Sequence, residues 1–311
     1  MYWAAMDAET RDRARGALFG LAVGDALGTT LEFAARDTLP HHAAMTGGGP
    51  FRLPPGTWTD DTSMALALAD SLLACGGFDA RDLMERFLRW LDHGEYSPTG
   101  RCFDIGTTTR AALERFRRTG NPFAGPVDEH TAGNGSLMRL APAVLWTLDD
   151  PDACRTLARE QGRTTHGAPQ AVDACAALAD KLRRAVMGES KGGVLAPEAA
   201  DAHPAVRAVA AGSWRGKDRA AISSSGYAVH TLEAALWCVD RTGSFADALV
   251  LAVNLADDAD TVGAVTGQLA GAVYGASAIP QAWLAPLAWR ERLMAAADGL
   301  AGRPESQPAE R

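Results

Sequence analysis

A glycine at every fourth position in two separate segments constrains the fold of this chain more than any other feature. A glycine inside a helix costs about 1 kcal/mol relative to alanine, so each series needs a compensating contact. A four-residue step lines the glycines along one helix face, where a neighbouring helix can approach closely. We predict two central, buried helices that face one another, although an alanine- and glycine-rich composition can also produce this register by chance. The two series are Gly16, Gly20, Gly24, Gly28 and Gly263, Gly267, Gly271, Gly275.

Most of the remaining chain also has a helical pattern. Over residues 79–93 apolar residues recur at steps of three and four, with Asp79 as the expected N-cap and Gly94 as the expected stop. Alternating runs of β-branched and aromatic residues, which are typical of strands, are nearly absent. The sequence therefore predicts an all-α protein, a single compact multi-helix bundle. Further helices are predicted over roughly 106–118, 151–162, 168–187, 227–241 and 244–256.

The chain shows no sign of a second domain. Loops are predicted at residues 47–50, at 54–56 and over the polar stretch 188–226, where glycine, proline and polar residues are concentrated. No segment has the low-complexity composition of an interdomain linker. We predict one domain over residues 11–301, with flexible termini at 1–10 and 302–311.

Charge and hydropathy exclude several classes of protein. The chain has 30 Lys and Arg against 38 Asp and Glu, a net charge of −8, which argues against a broad face for nucleic acid. No stretch approaches the roughly 18 uninterrupted apolar residues of a membrane span. Residues 1–10 lack the pattern of a signal peptide, and the 5 cysteines include no Cys-x-x-Cys pair. We expect a cytoplasmic protein without a membrane partner, a structural zinc or a disulfide framework.

Acidic residues stand beside both glycine segments. Residues 57–64 read TWTDDTSM and residues 254–261 read NLADDADT, while Asp25 lies inside the first glycine segment and Glu32 follows it. Helix capping explains one or two acidic oxygens at each helix start. It does not explain three acids within four residues before an apolar run.

Convergence of these two segments would place several carboxylates together without a Lys or Arg in either segment. Like charges at close range raise each other's pKa or require a counter-ion. Oxygen ligands from Asp, Glu and Thr suit Mg²⁺ or Mn²⁺ better than Zn²⁺. Because so many acids exceed what one such ion commonly takes, we expect a pair of divalent ions at the centre of the bundle.

Six motifs that occur in order between about residues 13 and 290 resemble the ADP-ribosylglycohydrolase family, in particular its bacterial dinitrogenase reductase-activating glycohydrolases. The resemblance implies an all-α bundle whose binuclear Mg²⁺ or Mn²⁺ centre removes ADP-ribose from a modified side chain, with arginine on a protein favoured. The motifs are the first glycine segment with Glu32, the TDDT of 59–62, the GNGSLMR of 133–139, Thr165-His166, the SGY of 225–227, and 254–261 with its glycine helix.

The resemblance also implies which residues bind metal and act in catalysis. Glu32 matches a glutamate beside the metals, and Asp104 looks like an active-site aspartate of the dinitrogenase reductase enzymes. Glu32 or a metal-site aspartate, such as Asp60 or Asp258, is the candidate to accept a proton from the attacking water. Asp104 is a second candidate, to orient the substrate or protonate the leaving group. The implied metal ligands are Thr59, Asp60, Asp61, Asp258, Asp260 and Thr261.

The implied substrate-binding residues lie further along the chain. A loop of Asn134, Gly135 and Ser136 matches the family's loop around ribose and diphosphate, and its consecutive N–H groups could hold a diphosphate. By spacing alone a plain turn is favoured over an anion-binding loop, and the match to the family reverses that preference. His166 and Tyr227 match positions around the nucleotide, while by themselves they are a buried histidine and a half-buried tyrosine.

One position departs from the family pattern. Many members have Gly-Gly before the Asp-x-Asp-Thr segment, where this chain has Ala256 and Asp257. We interpret Asp257 as a surface acid or a partner of the metal ligands, not as a ligand. Two other functions stay open: a non-catalytic ADP-ribose-binding relative, and a hydrolase of another ADP-ribosylated substrate with a serine, nucleotide or nucleic-acid linkage.

Overall fold

A computed structural model of the protein describes residues 6–302 as a bundle of helices. This part of the chain contains no strand, and its only ladder-like pairs are two isolated bridges, Gly48 with Leu53 and Gly133 with Tyr227. The helices are α1 Ala8–Gly28, α2 Asp60–Cys75, α3 Ala80–His93, α4 Thr107–Thr119, α5 Ala141–Trp146, α6 Pro151–Thr165, α7 Pro169–Val186, α8 Lys191–Val194, α9 Pro204–Ala210, α10 Ala228–Arg241, α11 Phe245–Val253, α12 Ala259–Tyr274, α13 Gln281–Leu284 and α14 Arg290–Ala301.

The two glycine helices, α1 and α12, cross the middle of the bundle in antiparallel contact. A Cβ atom added at Gly20 would collide with the carbonyl oxygen of Gly267, and equivalent collisions occur one turn away on either side. The prediction of two central helices that face one another is confirmed. Backbone meets backbone at Gly16 and Gly271, at Gly20 and Gly267, at Gly24 and Gly263, and at Gly28 and Ala259.

Gly275 has a different role from the other glycines of its series. It lies just beyond α12, has a φ of +84°, and donates its N–H to the carbonyl of Gly271. Its left-handed conformation ends the helix, which an L side chain would oppose. Around the glycine pair, α7, α10 and α11 pack against α12, whereas α2 and α14 pack against α1.

Local sequence signals place the amphipathic helices well. The Asp79 carboxylate accepts hydrogen bonds from the N–H groups of Arg81 and Asp82 at 2.8 and 3.0 Å, and α3 ends at Gly94 with φ +69°. Side-chain capping and a left-handed glycine are the expected start and stop of such a helix. The other predicted amphipathic segments correspond to α4, α6, α7, α10 and α11.

Two predictions of local structure are corrected. The predicted helix over 244–256 overruns α11, which ends at Val253. The Asn254 amide donates to the carbonyls of Val250 and His42 at 2.7 Å each, which turns the chain out of the helix. The predicted loop over 188–226 contains α8, α9 and a 3₁₀ turn, Arg219–Ala221.

The ends of the chain are only partly described. Residues 1–5 and 303–311, which include most of the predicted flexible termini, lie outside the described residues. Within the predicted N-terminal tail, α1 already begins at Ala8, where the Asp7 carboxylate accepts a hydrogen bond from the Thr10 N–H at 2.8 Å. None of the helices in the described range combines the length and apolar character needed to cross a membrane.

Candidate active site

The two acidic segments meet where the N-terminal ends of α2 and α12 come together. The Thr59 hydroxyl lies 3.3 Å from Asp260 Oδ2, although 201 positions separate these residues in the chain. On the other side, the Thr261 hydroxyl lies 3.4 Å from Asp61 Oδ1. The convergence predicted from the sequence is therefore confirmed.

Asp25 anchors the first acidic segment to α1. Its Oδ1 accepts hydrogen bonds from the N–H and hydroxyl of Thr59, both at 2.9 Å. Its Oδ2 accepts from the N–H and hydroxyl of Thr62 at 3.0 and 2.7 Å. Both carboxylate oxygens are thus occupied by the first turn of α2, so this fully buried acid positions the segment rather than facing a ligand.

Glu32 has the equivalent role for the second acidic segment, but it also faces the site. Its Oε2 accepts hydrogen bonds from the N–H groups of Ala259 and Asp260 at 2.7 and 3.2 Å, at the positive end of α12. Carboxylate oxygens of Glu32, Asp258 and Asp260 all lie within 4.8 Å of one another. Asp258 Oδ2 also accepts a hydrogen bond from Asn134 Nδ2 at 2.6 Å, which ties the acids to the predicted substrate loop.

The acids carry raised pKa values because they are buried together. Burial, with the neighbouring Asp260 carboxylate, raises the pKa of Asp258 to about 7. Burial also raises the pKa of Asp104 to about 6 and that of Asp60 well above its usual range, the latter with repulsion from Asp104 and Asp260. Within residues 6–302 no Lys or Arg forms an ion pair with these carboxyl groups.

The arrangement fits a hard divalent cation. Asp61 Oδ2 and Asp104 Oδ2 are buried and have no hydrogen-bond partner in the described chain. An unpaired buried carboxylate oxygen is costly unless a cation or a proton neutralises it. The clustered donors are all oxygens of Asp, Glu and Thr, the set that Mg²⁺ and Mn²⁺ prefer.

A cavity of about 1060 Å³ opens above the acids. Thr59 and Asp61 lie outside its lining but contact Asp260 and Thr261, which line it. The structure thus brings together nearly all residues that the sequence singled out. The predicted site residues that line the cavity are Glu32, Asp60, Asp104, Asn134, Gly135, His166, Tyr227, Asp258, Asp260 and Thr261.

Ser136 is the exception, since its side chain points away from the cavity. The hydroxyl accepts a hydrogen bond from Cys175 Sγ at 3.3 Å, and the residue is fully buried. Its backbone is different, because the N–H groups of Gly135 and Ser136 donate to no other group in residues 6–302. Of the two residues, Gly135 lines the cavity, and a turn with free N–H groups of this kind can bind an anion.

Several residues that line the cavity were not predicted from the sequence. The first turn of α4 faces the cavity with Thr107, Thr108 and Thr109, and no side chain caps this helix start. A helix start preceded by glycine and rich in threonine is the signal that could have revealed it. Gln170 also lines the cavity, and its buried Oε1 has no partner in the described chain. No local pattern marks that residue.

The backbone conformation at Ala256 and Asp257 explains why glycine suits these two positions. Both residues have positive φ values, +59° and +62°, a conformation that glycine adopts without strain. The Asp257 N–H donates to the Ala34 carbonyl at 2.9 Å, and the Phe33 N–H donates to the Asp257 carbonyl at 2.8 Å. This pairing holds Asp257 exposed at the cavity edge, where its carboxylate bonds to no described residue.

Comparisons with known proteins identify the family of this chain. A model of the family described as ADP-ribosylglycohydrolase matches residues 6–310. The ADP-ribosylarginine hydrolase Tri1 of Pseudomonas putida (strain GB-1) is 49% identical over 292 residues, covering 94% of this chain and 78% of the relative. The ADP-ribosyl-[dinitrogen reductase] glycohydrolase of Rhodospirillum rubrum is 39% identical over 286 residues, covering 89% and 90% of the two chains.

A solved structure supports the same assignment. It is described as an ADP-ribosylglycohydrolase-related protein complex and superimposes with a TM-score of 0.85 at 50% identity. The match covers 94% of this chain and 98% of the solved one. From the helical bundle, the converging acids and these matches along nearly the whole sequence, we conclude that the chain belongs to the ADP-ribosylglycohydrolase family.

Proposed function

We propose that this protein hydrolyses the bond between ADP-ribose and a modified arginine side chain on a protein, with two divalent cations, Mg²⁺ or Mn²⁺, in the acidic site. The observation that carries the proposal is the meeting of two distant acidic segments at the floor of a cavity large enough for a nucleotide, where no Lys or Arg of residues 6–302 forms an ion pair with them. The name of the Pseudomonas putida relative, an ADP-ribosylarginine hydrolase, supports arginine as the modified residue, and the name of the Rhodospirillum rubrum relative supports a protein as the substrate.

The acidic site would hold the cations through oxygens of both segments. When bound, divalent cations supply positive charge and lower the pKa of a neighbouring water. Asp25 and Glu32 would hold the two helix ends in place, because each accepts hydrogen bonds from the N–H groups of one end. The proposed ligands are Thr59, Asp60, Asp61, Asp258, Asp260 and Thr261.

Cleavage of a glycosidic bond passes through an oxocarbenium-like state, so the site must supply a nucleophile and help the leaving group depart. Glu32 lines the cavity floor beside Asp258 and Asp260, and burial with these carboxylates raises its pKa to about 12. It would accept the proton of the attacking water only with the cations bound, because their positive charge favours the ionised carboxylate. Asp104 is placed to protonate the leaving group, because its pKa of about 6 lies near neutral pH.

The rest of the cavity suits the ADP-ribose. Gly135 lies beside the first turn of α4, since a Cβ atom added at Gly135 would lie 3.2 Å from the Thr109 hydroxyl oxygen. Both this loop and the start of α4 line the cavity, so each would offer N–H donors to a diphosphate. Asn134 donates to Asp258 and would thereby hold the ribose-binding loop against the acidic site. Tyr227, half-buried at the cavity wall, offers a ring for the nucleoside.

The edge of the cavity suits a cationic arginine. Asp257 is exposed there without a partner among the described residues, and Phe33 beside it is 66% exposed. A carboxylate and an aromatic face are the groups that bind a guanidinium. An Asp257→Asn variant should raise KM for an arginine-linked substrate about two- to fivefold and leave a serine-linked one unchanged.

The proposal is tested by a panel of arginine-, serine- and nucleotide-linked ADP-ribose substrates, each assayed with Mg²⁺, Mn²⁺ and EDTA. We expect release of ADP-ribose from the arginine conjugate in either metal and none in EDTA. Metal-independent release, or turnover confined to another linkage, would contradict it. Tight binding of ADP-ribose by calorimetry without any turnover would instead identify a non-catalytic binding protein.

A further inference from the structure

Arg139 is an unusual core residue, a fully buried guanidinium without an acidic partner among the described residues. Its Nε donates to Gln161 Oε1 at 3.0 Å, and its Nη1 donates to the Gly135 carbonyl at 3.1 Å. Its Nη2 donates to the hydroxyls of Thr164 and Thr165 at 3.2 and 2.8 Å. Burial of a cation among neutral acceptors is costly, so this residue needs a role that offsets its desolvation.

The bond to Thr165 continues to His166. The Thr165 hydroxyl oxygen, which contacts the guanidinium, also lies 2.8 Å from His166 Nδ1. A guanidinium can only donate, so the Thr165 oxygen accepts from Arg139. Nδ1 is the only other partner of this hydroxyl in the described chain, so the buried hydroxyl proton is paired only if it is donated to Nδ1.

A histidine that accepts at Nδ1 and is neutral carries its proton on Nε2. Burial, with the nearby Arg139 cation, lowers the pKa of His166 to about 3, so the ring stays neutral at physiological pH. The ring therefore has one acceptor, already used, and one donor, which is Nε2–H.

That donor faces the cavity. A methyl group placed on Gly133 or on Gly135 would lie 3.2 Å from His166 Nε2, and Nε2 bonds to no described residue. Nε2 therefore lies beside the same loop whose N–H groups at Gly135 and Ser136 are free. The His166 Nε2–H group and the two N–H groups of the loop are neighbouring donors, and such a group of donors suits an anionic ligand with several acceptor oxygens.

We propose that Arg139 and Thr165 are positioning residues, which fix His166 as a neutral Nε2–H donor to an anionic oxygen of bound ADP-ribose. The tautomer follows from the hydrogen bonds alone, and only the identity of the ligand rests on the proposed function. The guanidinium also holds the Gly135 carbonyl, so one side chain sets both the loop and the ring that faces it.

Thr165→Val tests the relay, because valine keeps the shape and removes the hydroxyl. Thr164→Val is the matched control, since it removes another acceptor of Arg139 that does not contact His166. Long-range ¹H–¹⁵N correlation spectra of the ligand-free protein report the tautomer, and the His166 signal is identified by its loss in His166→Gln. We expect a pure Nε2–H form in the wild type and in Thr164→Val, a mixture in Thr165→Val, and recovery in Thr165→Ser.

Calorimetric titration with ADP-ribose provides the second readout. If the donor form falls to between half and a fifth of the molecules, affinity should weaken about two- to fivefold in Thr165→Val and stay at the wild-type value in Thr164→Val. A pure Nε2–H signal in Thr165→Val, or an Nδ1–H form in the wild type, would overturn the inference. Neither the correlation spectrum nor the calorimetric titration depends on turnover, so a failure of the proposed hydrolase activity would be recognised separately.

Discussion

The two halves of the α1–α12 pair contrast sharply. Along most of their length the helices touch through glycine backbones, as at Gly20 and Gly267. At the end of the pair, beyond Gly28, buried carboxyl groups crowd together, and burial and mutual repulsion raise their pKa values. The first half stabilises the bundle, and the second is destabilised by desolvation and repulsion.

The contrast shows how a stable contact can position a costly one. Gly28 packs against Ala259 and the Cα atom of Asp260, so the last glycine contact lies directly at the start of the second acidic segment. A rigid backbone contact leaves little freedom for the acids beyond it. Changes in the acidic half should therefore affect activity, and changes in the glycine half should affect stability.

The largest effect on activity should come from the acidic half. We expect Asp60→Ala combined with Asp258→Ala to lower turnover by about 10³-fold or more, because the loss of metal-site charge removes several kcal/mol of transition-state stabilisation. Circular dichroism should show the helical content retained. Near-full turnover in this double variant would contradict the proposed site.

The largest effect on stability should come from the glycine half. Gly20→Ala should lower the free energy of unfolding by about 3 kcal/mol, because its methyl group meets the Gly267 carbonyl and the backbones must separate. Gly243→Ala is the control, since nothing lies within 4 Å of a Cβ atom at that position. Equal denaturation midpoints for the two variants would show that the close contact does not stabilise the bundle.

Metal binding should offset the repulsion between the buried carboxylates, and the resulting gain in the free energy of unfolding should depend on pH. Burial raises the pKa of Asp25 and Asp104 to about 6 and that of Asp258 to about 7, so the folded protein holds protons that the unfolded chain releases. The contribution of these groups to stability is present at low pH and is lost as pH rises from about 4 to about 7.

A divalent cation competes with those protons, so its benefit should grow over the same range. At saturating Mg²⁺ we expect a stabilisation of about 3 kcal/mol near pH 8 and a clearly smaller one near pH 5.5. Differential scanning calorimetry with Mg²⁺ and with EDTA measures both. A gain that is the same at both pH values would contradict the shifted pKa values.

The smallest effect concerns the strained backbone just before α12. Ala256 has a φ of +59° where many family members have glycine, and a left-handed conformation costs an alanine about 1 kcal/mol. Ala256→Gly should therefore raise the free energy of unfolding by about 1 kcal/mol in chemical denaturation, with little change in turnover. A lower stability would mean that the buried methyl group matters more than the strain.

The sequence predicts the parts of the molecule that rest on short-range regularity. The glycine series predicts the central helix pair because the four-residue step is itself the contact surface. Asp79 and Gly94 predict the limits of α3 because capping is local. By contrast, α5 has only six residues, all of them buried, and α8 has only four residues. Both helices are too short to show a helical period in the sequence.

The parts of the site that depend on distant partners leave no such signal. Asp25 caps α2 from 34 positions away, so its role is visible only once the fold brings them together. From the sequence alone an arginine such as Arg139 is expected at the surface, yet its side chain is fully buried. Whether Ser136 offers its side chain or its backbone depends on the packing of Cys175, from another helix.

The central claim is that residues from both acidic segments bind the same cations. Calorimetric titration with Mn²⁺ tests it through Asp60→Asn and Asp258→Asn, one variant from each segment, with Asp257→Asn as the neighbouring control. We expect both ligand variants to weaken Mn²⁺ binding at least about tenfold, and the control to bind like the wild type. Unchanged Mn²⁺ affinity in either Asp60→Asn or Asp258→Asn would contradict a shared centre.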